Sequence, residues 1–200
     1  MKKKALRKDF YMEIRKSYNR FLSIFLIVAL GVAFFSGIRA AKPDMELSAD
    51  LFYDENNYMD IRVLSTLGLT EEDVEALEAV DGVETVVPGY STDVLSFRED
   101  GMYTLKVFSA STKLNEITPV EGRLPETSGE CILDSGLEQY GYQIGDTITI
   151  ESGTEDDITD SFKTTEYIVV GMGITPNYLS LERETSRIGR GYVDGFMAVL

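Results

Sequence analysis

Histidine is absent from this 200-residue chain, and Cys131 is its only cysteine. Without imidazole there is no Ser-His-Asp or Cys-His catalysis and no HExxH metal site. A single thiol permits neither an intramolecular disulfide nor a Cys/His zinc site. Set in the apolar run Cys131-Ile132-Leu133, it reads most simply as a small core residue. No G-x-x-x-x-G-K-[ST] run occurs, so the chain has no P-loop of its own. Gly171-Met172-Gly173 and Gly189-Arg190-Gly191 lack the third glycine and the strand-to-helix setting of a dinucleotide site, and both are expected to be turn or strand-end glycines. Basic residues are scarce after the first fifth of the chain: from Pro43 onward nine Lys or Arg stand against 32 Asp or Glu. That surface repels phosphates, so no nucleic-acid partner is expected.

What is present begins with the opposite charge. Residues 1–20 carry Lys2, Lys3, Lys4, Arg7, Lys8, Arg15, Lys16 and Arg20 against only Asp9 and Glu13. Then Phe21–Ile38 (FLSIFLIVALGVAFFSGI) runs 18 residues without a charge. As a helix this spans about 27 Å, close to the roughly 30 Å hydrocarbon core of a bilayer. Its twelve Phe, Leu, Ile and Val residues favour insertion by about 4–7 kcal/mol. Arg39 and Lys42 can snorkel to the far interface, extending the span to residues 21–41. The basic excess before the run places the N-terminus in the cytoplasm and residues after about 42 outside the cell membrane. A cleaved signal peptide is the rival reading. Its basic region would be unusually long, and Ala40 and Ala41 have Ile38 and Arg39 at their −3 positions, which is not a small-x-small site.

Two finer patterns surround the span. Ala29, Ala33, Gly37 and Ala41 recur every four residues and form one small-residue stripe, suited to close packing against another membrane helix; the alternative is that Ala and Gly are simply common in such helices. Ahead of it, Leu6, Phe10, Ile14 and Tyr18 also repeat at i+4 among basic residues. This is either an amphipathic segment on the cytoplasmic surface or a basic flank that only sets topology.

Beyond the span, a hydrophobic fraction of 44% with 10 Phe and 11 Tyr is enough for a globular core. Residues 42–57 form a polar stalk or lead-in helix, and 58–200 the outer domain. Met59–Leu64 alternates as a strand. Thr70 starts a helix with Asp73 three residues on and an apolar face of Val74, Leu77 and Val80; Asp81-Gly82 ends it, and Val83–Val87 is a second strand. Thr92–Arg98 and Met102–Ser109 flank Glu99-Asp100-Gly101 as a hairpin. Glu121–Pro125 (EGRLP) is expected to be a turn. Glu130–Asp134, Thr147–Glu151, Thr165–Val170 and Tyr192–Leu200 are further strands, with a brief helical stretch to Tyr140. The fold class expected is α+β: one transmembrane helix, then a mixed, strand-rich extracytoplasmic domain containing a strand–helix–strand unit. The chain ends in strand-like apolar sequence, where termini are more often polar, so the domain is expected to continue past Leu200.

No constellation for chemistry emerges. The cluster Glu155, Asp156, Asp157 and Asp160 lacks the loop spacing of a calcium site, and no carboxylate pair stands out from an acidic surface. No catalytic residue, cofactor or metal is therefore assigned.

The order of segments resembles the N-terminal part of FtsX-like/MacB-like ABC transporter permeases, especially the large Gram-positive members. The resemblance rests on RKSYNRFLSIFLIVALGVAFFSGI (Arg15–Ile38), MDIRVLSTLGLT (Met59–Thr70), VDGVETVVPGY (Val80–Tyr90), EGRLP…GECIL (Glu121–Leu133), YQIGDTITI (Tyr142–Ile150) and YIVVGMGITPNYLS (Tyr167–Ser180). It covers essentially the whole chain, although each motif alone is common. It implies a MacB-like core domain in 58–200, further transmembrane helices in the same permease or a second permease copy, and a separate cytoplasmic ATP-binding cassette ATPase as partner. ATP-driven closure of that ATPase would move the membrane helices, and the outer domain would transmit the motion to an envelope partner or exported substrate. The competing expectations are a single-pass anchored binding or sensor module, and an anchored carboxylate hydrolase.

Overall fold

The computed structural model describes residues 2–180 and 182–200, with side chains from residue 5 onward. The chain divides into two compact units, residues 1–51 and 52–200.

The first unit is helical. Helix α1 runs Lys2–Lys16 and α2 begins at Tyr18 and continues to Glu55. The uncharged run lies within α2, whose window of mean hydropathy 2.5 is long and apolar enough to cross a membrane. None of α2's residues in this window is buried, as a lipid-facing helix requires. Pro43 sits inside the helix without breaking it, so of the two alternatives for this stretch residues 42–55 are the lead-in helix. Ala29, Ala33, Gly37 and Ala41 all fall on α2.

The second unit is built on seven strands: β1 (Ser91–Arg98), β2 (Gly101–Ser109), β3 (Thr118–Gly122), β4 (Glu130–Asp134), β5 (Thr147–Glu151), β6 (Glu166–Ile174) and β7 (Gly195–Val199). Their order is β3-β6-β4-β7-β2-β1-β5, and β5 also pairs with β6, so six strands close into a ring while β3 extends one end of β6. Closure leaves few free strand edges. β6 can serve three neighbours because β5 takes its first residues (Thr149↔Glu166 to Thr147↔Ile168) and β3 its last (Gly122↔Gly171 to Thr118↔Ile174). The β1–β2 hairpin is in register from Ser91↔Phe108 to Arg98↔Gly101, so its turn is Glu99-Asp100 and Gly101 is already paired.

Alternation decides which residues fill the ring. Ile148 and Ile150 of β5 and Tyr103, Leu105 and Val107 of β2 point inward with Cys131, Leu133 and Met197. β4 and β7 are buried on both faces, and their outward residues Ile132, Phe196 and Ala198 form a second cluster with Ile117, packed under Phe108, Leu124 and Tyr178. This is why both strands appear in the sequence as unbroken apolar runs. Cys131 is a fully buried core residue whose thiol is pushed up to about 12 by burial.

Three expectations are corrected. A helix, α3 (Glu71–Glu78), forms behind Thr70 with a complete capping box to Asp73, but neither flank, 59–64 nor 83–87, is a strand, so the strand–helix–strand unit is not formed among the described residues. Alternation alone does not make a strand: it needs a partner ladder and a surface to cover its apolar face, and here Ile61 and Leu64 are 79% and 75% exposed. EGRLP is not simply a turn, since Glu121-Gly122 closes β3 before the chain bends. Gly173 lies at the end of β6, as one expected alternative had it, but Gly171 lies inside the strand; a β-carbon on either would collide with the backbone of β3 or of Arg123. Gly189 and Gly191, with φ of 58° and 88°, are turn glycines as expected.

Candidate functional site

The best-defined polar constellation is a clasp that fastens the last turn of α2 to the loop before β3, both within the second unit. Asn57 stands just past the helix in the left-handed region, φ 47°. Asn57 N–H donates to the Asp54 carbonyl and Tyr58 N–H to the Tyr53 carbonyl at 3.0 Å. These two bonds are a Schellman ending with Asn in place of the usual glycine. Tyr53 and Tyr58 stack across it with ring centroids 4.7 Å apart.

The capped end is then tied to residues 115–118. Asn115 N–H donates to the Asn57 carbonyl and Glu116 N–H to the Asn56 carbonyl, each at 2.9 Å. Side chains double the connection: Thr118 Oγ1 donates to Asn56 Oδ1 at 2.7 Å, Asn57 Nδ2 to Glu116 Oε1 at 2.7 Å, and Met59 N–H to Asn115 Oδ1 at 3.0 Å. Asn56 is only 6% exposed, and its Nδ2 is satisfied by the Phe52 carbonyl. A buried amide with both ends paired fixes a unique geometry. Sequence reasoning passed over this clasp. The signal was Asn56-Asn57 at a helix C-terminus, which is a stop signal once residues 42–55 are recognised as helix.

A second set of pairs pins the segment 182–194 to the barrel. Arg183 reaches Asp134 with Nε and Nη2, the shortest contact being 2.8 Å, and its guanidinium lies over Tyr178. Asp134 also accepts from Gly136 N–H at 2.9 Å. Lys106 Nζ sits 2.6 Å from Asp93, which accepts from Ser186 Oγ, and 3.5 Å from Glu184. Asp194 accepts from Thr104 N–H at 2.8 Å and from Arg190 at 2.7 Å. Between these lies a shallow groove of about 390 Å³ edged by Gly136, Tyr140, Arg183 and Tyr192. Arg183 and Asp194, two of the charged groups that line it, are already paired with protein.

The EGRLP…GE motif has a local task. Arg123 forms a two-pronged pair with Glu130, at 2.8 and 2.5 Å, and Glu130 also accepts from the N–H groups of Glu126 and Thr127. This holds the β3–β4 loop shut, and the Arg123 hydrogen bonds, joined by the backbone donors, pull the Glu130 carboxyl down to about 2. In the acidic loop, Asp157 accepts from Thr159 to cap a short helical turn, and Asp156 accepts from Thr154 Oγ1. The small-residue stripe is brought against nothing within the described residues; a β-carbon on Gly37 would meet open space.

A long apolar helix followed by a closed mixed sheet fits a membrane protein with a folded domain next to its span. Residues 21–193 match the model of the MacB-like periplasmic core domain, and the chain belongs to that family. No individually curated protein matches it. Among solved structures, it is similar to the extracellular domain of the noncanonic ABC-type transporter YknZ from Gram-positive bacteria. The identity is 15% and the TM-score 0.40, over 68% of this chain and 64% of that one. The chain thus spans a little under two thirds of that domain's length.

Proposed function

We propose that the chain is the N-terminal part of a non-catalytic permease subunit, with residues 1–20 in the cytoplasm, 21–41 across the cell membrane and the domain after about 42 outside. Its transport partner is a separate cytoplasmic ATP-binding cassette ATPase. The stripe Ala29, Ala33, Gly37 and Ala41 is the face that packs on further transmembrane helices, in the same permease or a second copy. The outer domain passes ATP-driven motion of α2 to an envelope partner or exported substrate. The observation that supports this reading is the clasp at Asn56-Asn57: within the second unit, the residues that end α2 are fastened to Glu116 and Thr118 by paired side chains.

Membrane extraction of the protein with its neighbours intact tests the assignment. An ATPase with Walker motifs should co-purify, and Ala33→Leu/Gly37→Leu should reduce its recovery together with that of other membrane helices. Recovery of the protein alone, before and after substitution, would instead favour a single-pass binding or sensor module. The clasp is tested separately: Asn57→Pro should leave ATP hydrolysis by the assembled complex intact while abolishing nucleotide-dependent changes in protease sensitivity of the outer domain.

A further inference from the structure

Arg190 stands between two aromatic rings and a buried carboxylate. Its guanidinium lies 5.6 Å from the centre of the Tyr103 ring and 5.1 Å from that of Tyr192, and its Nη2 is 2.7 Å from Asp194 Oδ1. Aromatic faces and a carboxylate are the parts from which a guanidinium site is assembled. Tyr103 and Asp194 are held in place by groups other than Arg190. The Tyr103 hydroxyl donates to Asp100 at 2.7 Å, and the Tyr140 ring lies against it with centroids 4.8 Å apart. Thr104 N–H donates to Asp194 Oδ2 at 2.8 Å.

The occupant is far less fixed than its seat. The Arg190 side chain is 46% exposed and that of Asp194 1%. Arg190 stems from the tip of a small hairpin paired at Thr185 and Tyr192, between Gly189 and Gly191. Among the described residues its side chain makes no other ion pair or hydrogen bond. Rotation about its own side-chain bonds carries the guanidinium into water with the hairpin intact. That rotation leaves Asp194 Oδ1 buried and without a donor, a state that favours a replacement cation.

The seat adjoins the groove described above. Tyr140, Tyr192, Val193 and Asp194 all line that groove. Its other cation, Arg183, is neutralised by Asp134, and Glu182 is exposed along the lining. A ligand arriving there meets the carboxylate and the Tyr192 ring together, while its body gains contact with Tyr140 and Val193. That surplus lets a free ligand compete with an internal one of high effective concentration.

We infer that Tyr103, Tyr192 and Asp194 form a binding site for a guanidinium-bearing organic cation, which Arg190 occupies until such a ligand replaces it. A planar guanidinium suits the site better than an ammonium, because it stacks on rings while donating in its own plane to a carboxylate. The group has two sources, a free small molecule or an arginine within a peptide. The inference stands independently of the permease reading.

The full chain in phosphatidylcholine nanodiscs is titrated calorimetrically with three probes. These are agmatine, putrescine (an ammonium in place of the guanidinium) and acetyl-Gly-Arg-Gly-amide. Agmatine should bind R190A about tenfold more tightly than the parent chain, because the internal competitor is gone. R190K should fall between the two, since lysine is a poorer occupant. It also keeps a charge near Asp194, so poor folding of R190A cannot hide the answer. R190A/D194N should bind agmatine about tenfold or more weakly than R190A, as loss of a hydrogen bond to a charged group predicts. Putrescine should bind R190A more weakly than agmatine does. A tripeptide tighter than agmatine identifies a peptide arginine as the ligand, and the reverse order a small molecule. Three results would overturn the inference: agmatine affinity equal, or absent, in parent, R190K and R190A; R190A/D194N binding as tightly as R190A; or putrescine matching agmatine in R190A, which signifies unspecific attraction to an acidic surface.

Discussion

Asn57 and Asn115 occupy matching left-handed conformations, φ 47° and 52°, and lock onto each other: the Asn115 N–H donates to the Asn57 carbonyl at 2.9 Å. They are the two residues other than glycine in that region among the described residues. Asparagine tolerates this backbone better than other β-carbon residues, and its short amide can bond nearby main chain. Here the Asn115 amide oxygen takes the Met59 N–H.

Two substitutions at 115 separate the backbone from the side chain. Asn115→Gly keeps the left-handed turn easy and removes only the acceptor, for an expected loss of about 1 kcal/mol. Asn115→Ala removes the acceptor and adds left-handed strain, for about 2–3 kcal/mol in all. Denaturant unfolding followed by circular dichroism should rank Ala below Gly. Equal losses would show that the turn conformation contributes nothing.

Among the described residues the pair Asp134–Arg183 is the most deeply buried ion pair, with Asp134 side chain 2% and Arg183 12% exposed. Removing one charge from such a pair leaves the other without compensation. Arg183→Met should therefore lower stability by about 3–5 kcal/mol. The double change Asp134→Asn/Arg183→Met should recover a substantial part, because the Asn oxygen still accepts from Gly136 N–H. Thermal melts of both variants decide the matter; a double variant no better than the single one would mean that Arg183 acts by packing on Tyr178.

The outcomes at particular segments show where sequence sufficed. Glu130–Asp134, Thr147–Glu151 and the hairpin were legible because each carries its own signal, an apolar run or a strict alternation around a turn. The ring closure was not, because it depends on β5 pairing with the first residues of β6, a long-range fact with no local mark. β3 went unseen for the same reason: TPVEG is exposed along its length and has no strand pattern of its own. Met59–Leu64 erred in the other direction, having the pattern without a partner. The long apolar helix was legible from its 18 uncharged residues, whereas the clasp required knowing that the helix persists to Glu55.

Glu130 gives the acid limb of the stability profile a specific source. Its carboxyl is drawn from the ordinary 4.5 to about 2 in the folded protein, first by Arg123. A depressed carboxyl contributes stability that is complete above the unfolded value and is lost as pH falls towards the folded one. Stability should thus decline between about 4.5 and 2 through this group. Glu130→Gln should be less stable than the parent at neutral pH and converge with it near the acid end. Parallel curves across that range would show that Glu130 is not the titrating group.

Gly171 tests the three-way pairing of β6 most directly. A β-carbon there would meet the Arg123 N atom at 3.0 Å and the Glu121 carbonyl at 3.1 Å, with the Arg123 carbonyl nearer still. These are backbone atoms of the strand and turn that the Arg123–Glu130 pair holds in place, so they cannot swing aside as a flexible side chain would. Gly171→Ala should destabilise by about 1–3 kcal/mol, the usual range for overpacking. It should also raise hydrogen exchange at Arg123, whose N–H bonds to the Val170 carbonyl. Gly101→Ala is the matched control, because nothing lies within 4 Å of its β-carbon and its strand position is better served by Ala than by Gly. If both glycines tolerate alanine equally, the close approach of β3 to β6 is not required.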